Sequence, residues 1–260
     1  MPDNLLPVIS IRSLHEVNCS ECALHPVCLP PAVDETDLDQ LESIIERRRT
    51  LPRGTPLFRQ GDAFQSLYAV RSGAIKTCLT PPDGAEHITG FYLPGEIVGL
   101  DSLGRTHHGS SAMALESSTV CAIPFAQLET LALKLPGLQH HLFKLLSAEI
   151  HSDQQLLLLL GKRSAEARIT AFLLAVATRH KRRQLSENHF HLPMSRTDIG
   201  NHLGLAIETV SRVLTRLQQT GVLEVDGKDI RILDRERLCQ LAEPAAENTD
   251  GAGINVRKLS

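Results

Sequence analysis

The sequence predicts an α+β protein in three parts: an N-terminal β-roll, a long helix with an apolar seam, and a C-terminal winged helix-turn-helix. Three observations predict it. Between Leu51 and Pro124, short apolar runs alternate with Gly and Pro turns, the texture of a strand-rich domain. From Phe143 to Leu160, apolar residues step by three and four, as on one face of a helix. From Arg196, small, apolar and turn-forming residues take the spacing of two short helices joined tightly.

At 260 residues and 42% hydrophobic, the chain has room for two modest domains. With no Trp, seven Phe and two Tyr, it lacks the aromatic platform on which single strands or RNA stack. The purely apolar run Leu156 to Leu160 falls far short of the roughly 20 residues of a membrane span. Met1-Pro2-Asp3-Asn4 has neither the basic nor the apolar region of a signal peptide. A cytoplasmic protein with no membrane partner is expected. The net charge of −3 hides an asymmetry: residues 1–161 carry 11 Lys and Arg against 18 Asp and Glu, and residues 162–237 carry 14 against 9. A basic C-terminal part suits a polyanion, because Lys and Arg gain by displacing counterions from phosphates.

Residues 1–33 read as an irregular arm bearing Cys19, Cys22 and Cys28. A disulfide framework is not expected in the cytoplasm. The C-x2-C-x5-C spacing instead presents three thiolates to one metal and leaves a fourth ligand to be found. A zinc site completed by His15 or His25 fits this spacing, and so does an iron–sulfur centre, although neither ferredoxin pattern is matched.

Residues 34–136 are expected to form the β-roll domain. A helix over Thr36 to Arg49 carries Leu38, Leu41, Ile44 and Ile45 at helical spacing, with acidic first turns. Strands follow at Leu57-Phe58, Ser66 to Val70, Ala74 to Leu79, His87 to Tyr92 and Thr119 to Ile123, with Cys78 a small core residue. Residues 137–162 are expected to form the long helix. Phe143, Leu146, Ile150, Asp153, Leu157 and Leu160 form its seam, about 27 Å long at 1.5 Å per residue. Leu142, Leu145, Leu156 and Leu159 lie alongside and face the roll. Two apolar faces on one helix predict a homodimer. Asp153 makes that dimer marginal, because a buried carboxylate facing its symmetry mate costs several kcal/mol unless paired.

Residues 163–241 are expected to form the winged-helix domain, opening with a helix over Ala165 to His180. Counting Arg196 as first, Ile199, Leu203, Leu205, Val210 and Val213 fall at positions four, eight, ten, fifteen and eighteen. Gly200 and Gly204 stand at the fifth, where the second helix packs, and the ninth, which needs positive φ. Leu223 to Ile232 reads as a hairpin on Asp226-Gly227. The second helix exposes Glu208, Ser211 and Arg212, suited to base edges in the major groove of double-stranded DNA. Ser195, Arg196 and Thr197 open the preceding helix and suit phosphates. The polar tail 242–260 is expected to be disordered. His107-His108 and His140-His141 have no nucleophile at recognisable spacing, so an enzyme is not expected and these histidines are read as surface residues.

A cysteine arm, a β-roll, a long helix and a winged helix with Glu208-Thr209-Val210-Ser211-Arg212 together resemble the fumarate and nitrate reduction regulators, the oxygen-sensing branch of the cyclic-AMP receptor protein superfamily. The similarity runs from about Cys19 to Leu241 and includes Leu67 to Gly73, Ile88 to Phe91 and Gly109 to Pro124. It implies an N-terminal β-roll sensor domain, a long dimerisation helix and a DNA-binding winged helix-turn-helix. The family's cluster ligands fall on Cys19, Cys22, Cys28 and Cys121, implying a 4Fe–4S cluster. The resemblance also implies a dimer seam with Ile150 and Asp153, base reading of a TTGAT-type half-site by Glu208, Ser211 and Arg212, and promoter DNA and RNA polymerase as partners. The expected function is an oxygen-responsive transcription regulator. This sequence departs from the family pattern at Ala23, at Ala85 in the loop 81–85 that relatives turn toward polymerase, and at Gln139 near the start of the long helix.

Three other readings stand beside this one. Gly95-Glu96-Ile97 resembles the start of a cyclic-nucleotide phosphate cassette, but Ser110-Ser111-Ala112 lacks the Arg that would grip the phosphate. A thiol-responsive regulator of the same superfamily would use the arm cysteines without iron. An electron-transfer iron–sulfur protein would leave the winged helix without a use.

Overall fold

A computed structural model of the chain describes residues 19–29, 31, 33–81 and 84–242. Most of the tail 242–260, residues 1–18 of the arm, and Pro82 and Asp83 lie outside the described residues.

After the arm comes helix α1 (Glu35–Ile44) and then strand β1 (Glu46–Leu51). The expected helix over Thr36 to Arg49 therefore ends early. Ile45 takes an extended backbone (φ −83°, ψ 112°), and Glu46 to Leu51 pair antiparallel with β8 (Ser118–Pro124). The local apolar spacing is helical, but the ladder with a distant strand decides the conformation.

The roll comprises two four-stranded sheets. One runs β1-β8-β3-β6, with β3 at Ser66–Ser72 and β6 at Ile97–Val98. The other runs β2-β7-β4-β5, with β2 at Pro56–Phe58, β4 at Ile75–Leu79, β5 at His87–Tyr92 and β7 at Ser111–Ala114. Strands β1, β6 and β7 were not among those expected. Leu51, Phe58, Val70, Ile75, Val98 and Val120 fill the space between the sheets. Gly73 makes a tight turn here: a Cβ on it would lie 2.6 Å from the Ser117 carbonyl oxygen.

Helix α2 (Phe125–Lys134), absent from the sequence reading, joins α1 and the first turns of α3 (Pro136–Lys162) over the outer face of the first sheet. Leu29 of the arm, Leu41, Leu67, Ile123, Leu128 and Leu138 are buried there. Leu142, Leu145 and Leu146 of α3 pack on this cluster, as do Cys19, Cys28 and Cys121. Leu156 and Leu159 pack on a second cluster, in which Ala74, Ile88, Phe91 and Leu93 of the roll join the winged-helix core.

Helix α4 (Ala165–Arg182) opens the C-terminal domain, with the Ser164 hydroxyl accepting from the Ala167 N–H. Strand β9 (His189–His191), α5 (Arg196–Leu203), α6 (Ile207–Gln219), β10 (Leu223–Asp226), β11 (Asp229–Ile232) and α7 (Arg235–Ala242) complete it. The wing is a three-stranded sheet, β10-β11-β9, one strand more than the expected hairpin. Asp226 pairs with Asp229, so the two-residue loop is Gly227-Lys228, with Gly227 left-handed at φ 58°. The Asp-Gly pair thus straddles the strand end, one residue earlier than expected.

Candidate nucleic-acid interface and cysteine site

Ser195 caps α5. Its hydroxyl accepts from the Asp198 N–H at 3.1 Å, and the Asp198 carboxylate accepts from the Ser195 N–H at 2.9 Å and its O–H at 2.6 Å. Burial works against the Asp198 charge, but Ser195 and Lys76 hold its carboxyl below the usual range. The Ser195 hydroxyl is thus engaged within its own helix, while Arg196 and Thr197 are exposed beside it.

The turn behaves as its spacing demands. Gly204 is left-handed (φ 62°) and ends α5. A Cβ on Gly200 would lie 2.6 Å from the Leu205 carbonyl oxygen, and that closeness accompanies the Leu205 N–H donating to the Gly200 carbonyl at 2.8 Å. Val210, Leu214 and Leu217 anchor α6 in the core. Its opposite face lines a shallow open groove with Glu208, Ser211, Arg212, Thr215, Arg216 and Gln219. Glu208 and Arg212 are exposed and Ser211 is half-exposed. They share one face because residues three and four apart align on a helix. Arg212 donates to the Thr209 hydroxyl at 3.2 Å. The sequence reading missed Thr215, Arg216 and Gln219, whose steps of four, five and eight from Ser211 continue the same face.

Three wing side chains are already engaged. Lys228 donates to the Pro193 carbonyl at 2.6 Å, Arg231 meets Glu224 at 3.3 Å, and His191 meets Asp229 at 3.0 Å.

The cysteines gather at the edge of the apolar cluster under α3. Cys19, Cys22, Cys28 and Cys121 are each half-buried. Burial pushes the Cys28 thiol up to about 12. A backbone hydrogen bond at Leu29 opposes the rise, and the nearness of Cys121, Cys19 and Cys22 adds to it. Among the described residues, no group of three or more His, Cys, Asp or Glu is closed into a metal-binding arrangement. The donor chemistry nevertheless fits a thiolate-ligated group: Cys28 lies close enough to Cys121, Cys19 and Cys22 to feel each of them, and a metal cation would favour its thiolate. Cys78 is buried at 2% exposure in the core, as expected, and Cys239 is exposed.

The expected histidine surface is half right. His107 and His140 are exposed. His108 is buried, its ring stacked on Phe58 with centroids 3.6 Å apart, because that stack supplies the apolar face it covers. His141 is half-buried against the backbone of Cys28, and burial lowers its pKa.

The seam also divides. Phe143 (60%), Ile150 (59%) and Leu157 (69%) are exposed, and so is Leu158 (61%), which the spacing had left out. Asp153 lies among them, its carboxyl pushed above the usual range by burial and by Asp101. Leu146 and Leu160 are half-buried within their own chain. Arg168 holds the end of α3 beside Leu160, donating to the carbonyls of Leu160 (2.8 Å), Arg163 (3.1 Å) and Leu203 (3.0 Å).

No helix among the described residues is long and apolar enough to cross a membrane. Glu96, within the cassette-like segment, has its carboxylate taken by Arg179 and by the Leu93 N–H.

Residues 167–241 match the Crp-like helix-turn-helix domain, and residues 48–134 match the cyclic nucleotide-binding domain. The chain is 48% identical over 239 residues to the transcriptional activator protein Anr of Pseudomonas protegens, covering 92% of this chain and 98% of that protein. It is 46% identical over 226 residues to the fumarate and nitrate reduction regulatory protein of Escherichia coli, covering 87% of this chain and 90% of that protein. Among solved structures, FixK2 from Bradyrhizobium japonicum is similar at 30% identity and a TM-score of 0.70, covering 76% of this chain and 98% of that one.

Proposed function

The chain belongs to the fumarate and nitrate reduction branch of the Crp-like transcription regulators, and on that premise we propose that it is an oxygen-responsive one, binding a TTGAT-type palindrome as a homodimer when oxygen is absent. Proteins of this family are not enzymes; they bind promoter DNA and act as dimers. The observation that carries the oxygen reading is the gathering of Cys19, Cys28 and Cys121 at the edge of the cluster on which α3 packs, with Cys22 near Cys28.

These four residues would hold a 4Fe–4S cluster, which when bound supplies an oxygen-labile redox centre. The rest of the mechanism belongs to the chain. Leu29, one residue beyond Cys28, is buried with Leu138 at the start of α3, so an arm pinned to β8 through Cys121 is felt by the long helix. That helix presents Phe143, Ile150, Leu157 and Leu158 to a second copy, with Asp153 in their midst. Two like carboxylates approaching across a two-fold axis oppose association. A bias of a few kcal/mol from the pinned arm is enough to move that balance. In the dimer, each α6 enters a major groove, with half-sites about one helical turn apart. RNA polymerase is the further partner this reading carries.

Anaerobic purification followed by an absorption spectrum and iron and sulfide assays tests it. Brown protein holding about four irons per chain, bleached by air, is expected. A colourless protein holding zinc or no metal would overturn the oxygen reading.

Asp153→Ala is expected to keep the dimer and its DNA binding in air; an aerobic monomer by sedimentation would remove Asp153 from the seam. Arg212→Ala is expected to relax discrimination at one guanine by about 1–3 kcal/mol. A uniform loss across all DNA sequences would make Arg212 a phosphate contact instead.

A further inference from the structure

We propose that Arg179 and Glu96 are a positioning pair that sets the winged-helix domain on the roll, and that Val27 of the arm, seated on Gly95, makes this position depend on the arm. The second half rests on the arm being the sensing element, as in the function above.

Arg179 stands in the last turn of α4, and Glu96 in the turn between β5 and β6. The guanidinium grips the carboxylate with two nitrogens: Nε donates to Oε1 at 2.7 Å, and Nη2 donates to Oε2 and also to the Phe91 carbonyl. Burial disfavours the arginine charge, but Glu96 more than offsets this and its pKa is raised. A planar fork on a carboxylate and a carbonyl fixes direction as well as distance. A lysine would fix neither.

The surroundings turn this grip into a domain joint. Phe91 of the roll meets Phe172 of α4 and His202 of α5 edge-on, with centroids at 6.0 Å and 5.0 Å. The Ile88 N–H donates to the Asn201 side chain at 2.6 Å, and Asn201 donates to the Glu86 carbonyl at 2.7 Å. Lys76 bridges Glu86 at 2.8 Å and Asp198 at 3.2 Å. Thus α5, whose turn into α6 aims the recognition residues, is bolted to β4 and β5.

On its other side, the Glu96 turn meets the arm. Gly95 has φ +92°, and a Cβ there would lie 2.6 Å from a Val27 methyl. Residue 27 precedes Cys28, so any shift of the Cys28 loop presses on or releases the turn that carries Glu96. A cavity of about 610 Å³ lined by Pro26, Val27, Glu96, Glu149, Arg179 and Arg183 leaves room for that movement. The arm therefore has a line to the DNA-binding domain within one chain, alongside the dimer seam, whose Asp153 borders the same cavity.

The test uses the full chain as wild type, Glu96→Gln and Val27→Ala. Hydrogen exchange of segments 87–92 and 196–203 is read with sedimentation and with affinity for two duplexes, one holding the palindrome and one a single half-site. The substituted glutamine still offers an acceptor to the Leu93 N–H, so the turn is expected to survive. Glu96→Gln is expected to speed exchange in both segments and weaken palindrome binding about tenfold, with half-site affinity and self-association unchanged. Val27→Ala is expected to do the same, about threefold, in iron-loaded protein. Equal losses on both duplexes with a lower melting temperature would make the pair merely structural, and unchanged exchange in Glu96→Gln would overturn the positioning role. Faster exchange in Glu96→Gln but not in Val27→Ala would overturn the arm's part alone. Wild type without iron would overturn the oxygen reading while the Glu96→Gln comparison still decides the pair.

Discussion

Cys121→Ser is expected to yield a protein that folds, carries no stable iron and does not bind DNA under argon. Cys121 lies in β8 between Arg47 of β1 and Ala69 of β3, in a sheet whose partners on both sides hold the strand in register. Serine fits that half-buried position with little change of volume, so the roll survives. What changes is the donor: an alcohol ionises far less readily than a thiol, and three thiolates remain where four are needed. Iron should fall from about four per chain to below about one. Cys239→Ser, at an exposed position on α7, should keep the full complement. Full iron retention in Cys121→Ser would remove Cys121 from the ligand set.

Gly200→Val is expected to disable the winged helix without touching the iron. A glycine inside a helix costs roughly 1 kcal/mol against alanine, so its place in α5 needs a reason, and the turn gives one. A Cβ would press on the Leu205 carbonyl oxygen at 2.6 Å and meet a Val210 methyl at 3.5 Å. Backbone cannot yield as a side-chain tip does, so α6 must back away from α5. Overpacking of this kind costs about 1–3 kcal/mol, and a branched side chain belongs at the upper end. The expected readout is a lower melting transition and at least about tenfold weaker DNA binding, since every 1.4 kcal/mol is a factor of ten. Wild-type melting and affinity in Gly200→Val would show that α5 and α6 do not approach this closely.

The helix-turn-helix was legible in the sequence because its determinants are local: seven positions within eighteen residues, each with a steric reason. The long helix was legible for the same reason, through its three-and-four stepping. Strand β1 was not. Glu46-Arg47-Arg48-Arg49 continues a helical pattern, and only pairing with β8, which lies beyond the rest of the roll, draws it straight. His108 read as a surface residue because its stacking partner Phe58 is remote in the chain and reaches it only through the pairing of β2 beside β7. The joint between domains was equally hidden: Arg179 carries no local signal beyond its place in the helix over Ala165 to His180, and Glu96 resembles the start of a ligand cassette. Neither residue names the other, and only the packing of α4 on β5 brings them into contact.

The exposed stripe of α3 also sets how the regulator counts itself. Phe143, Ile150, Leu157 and Leu158 are more than half exposed in a single chain, and in the dimer proposed above a second copy covers this stripe. Occupancy of a two-chain site from a pool of single chains rises with the square of their concentration, so doubling the copy number raises it about fourfold when sites are scarce in bound protein. On the function proposed above, gene dosage and signal enter one equation, and a cell that makes more of this chain shifts its response threshold without changing a single residue.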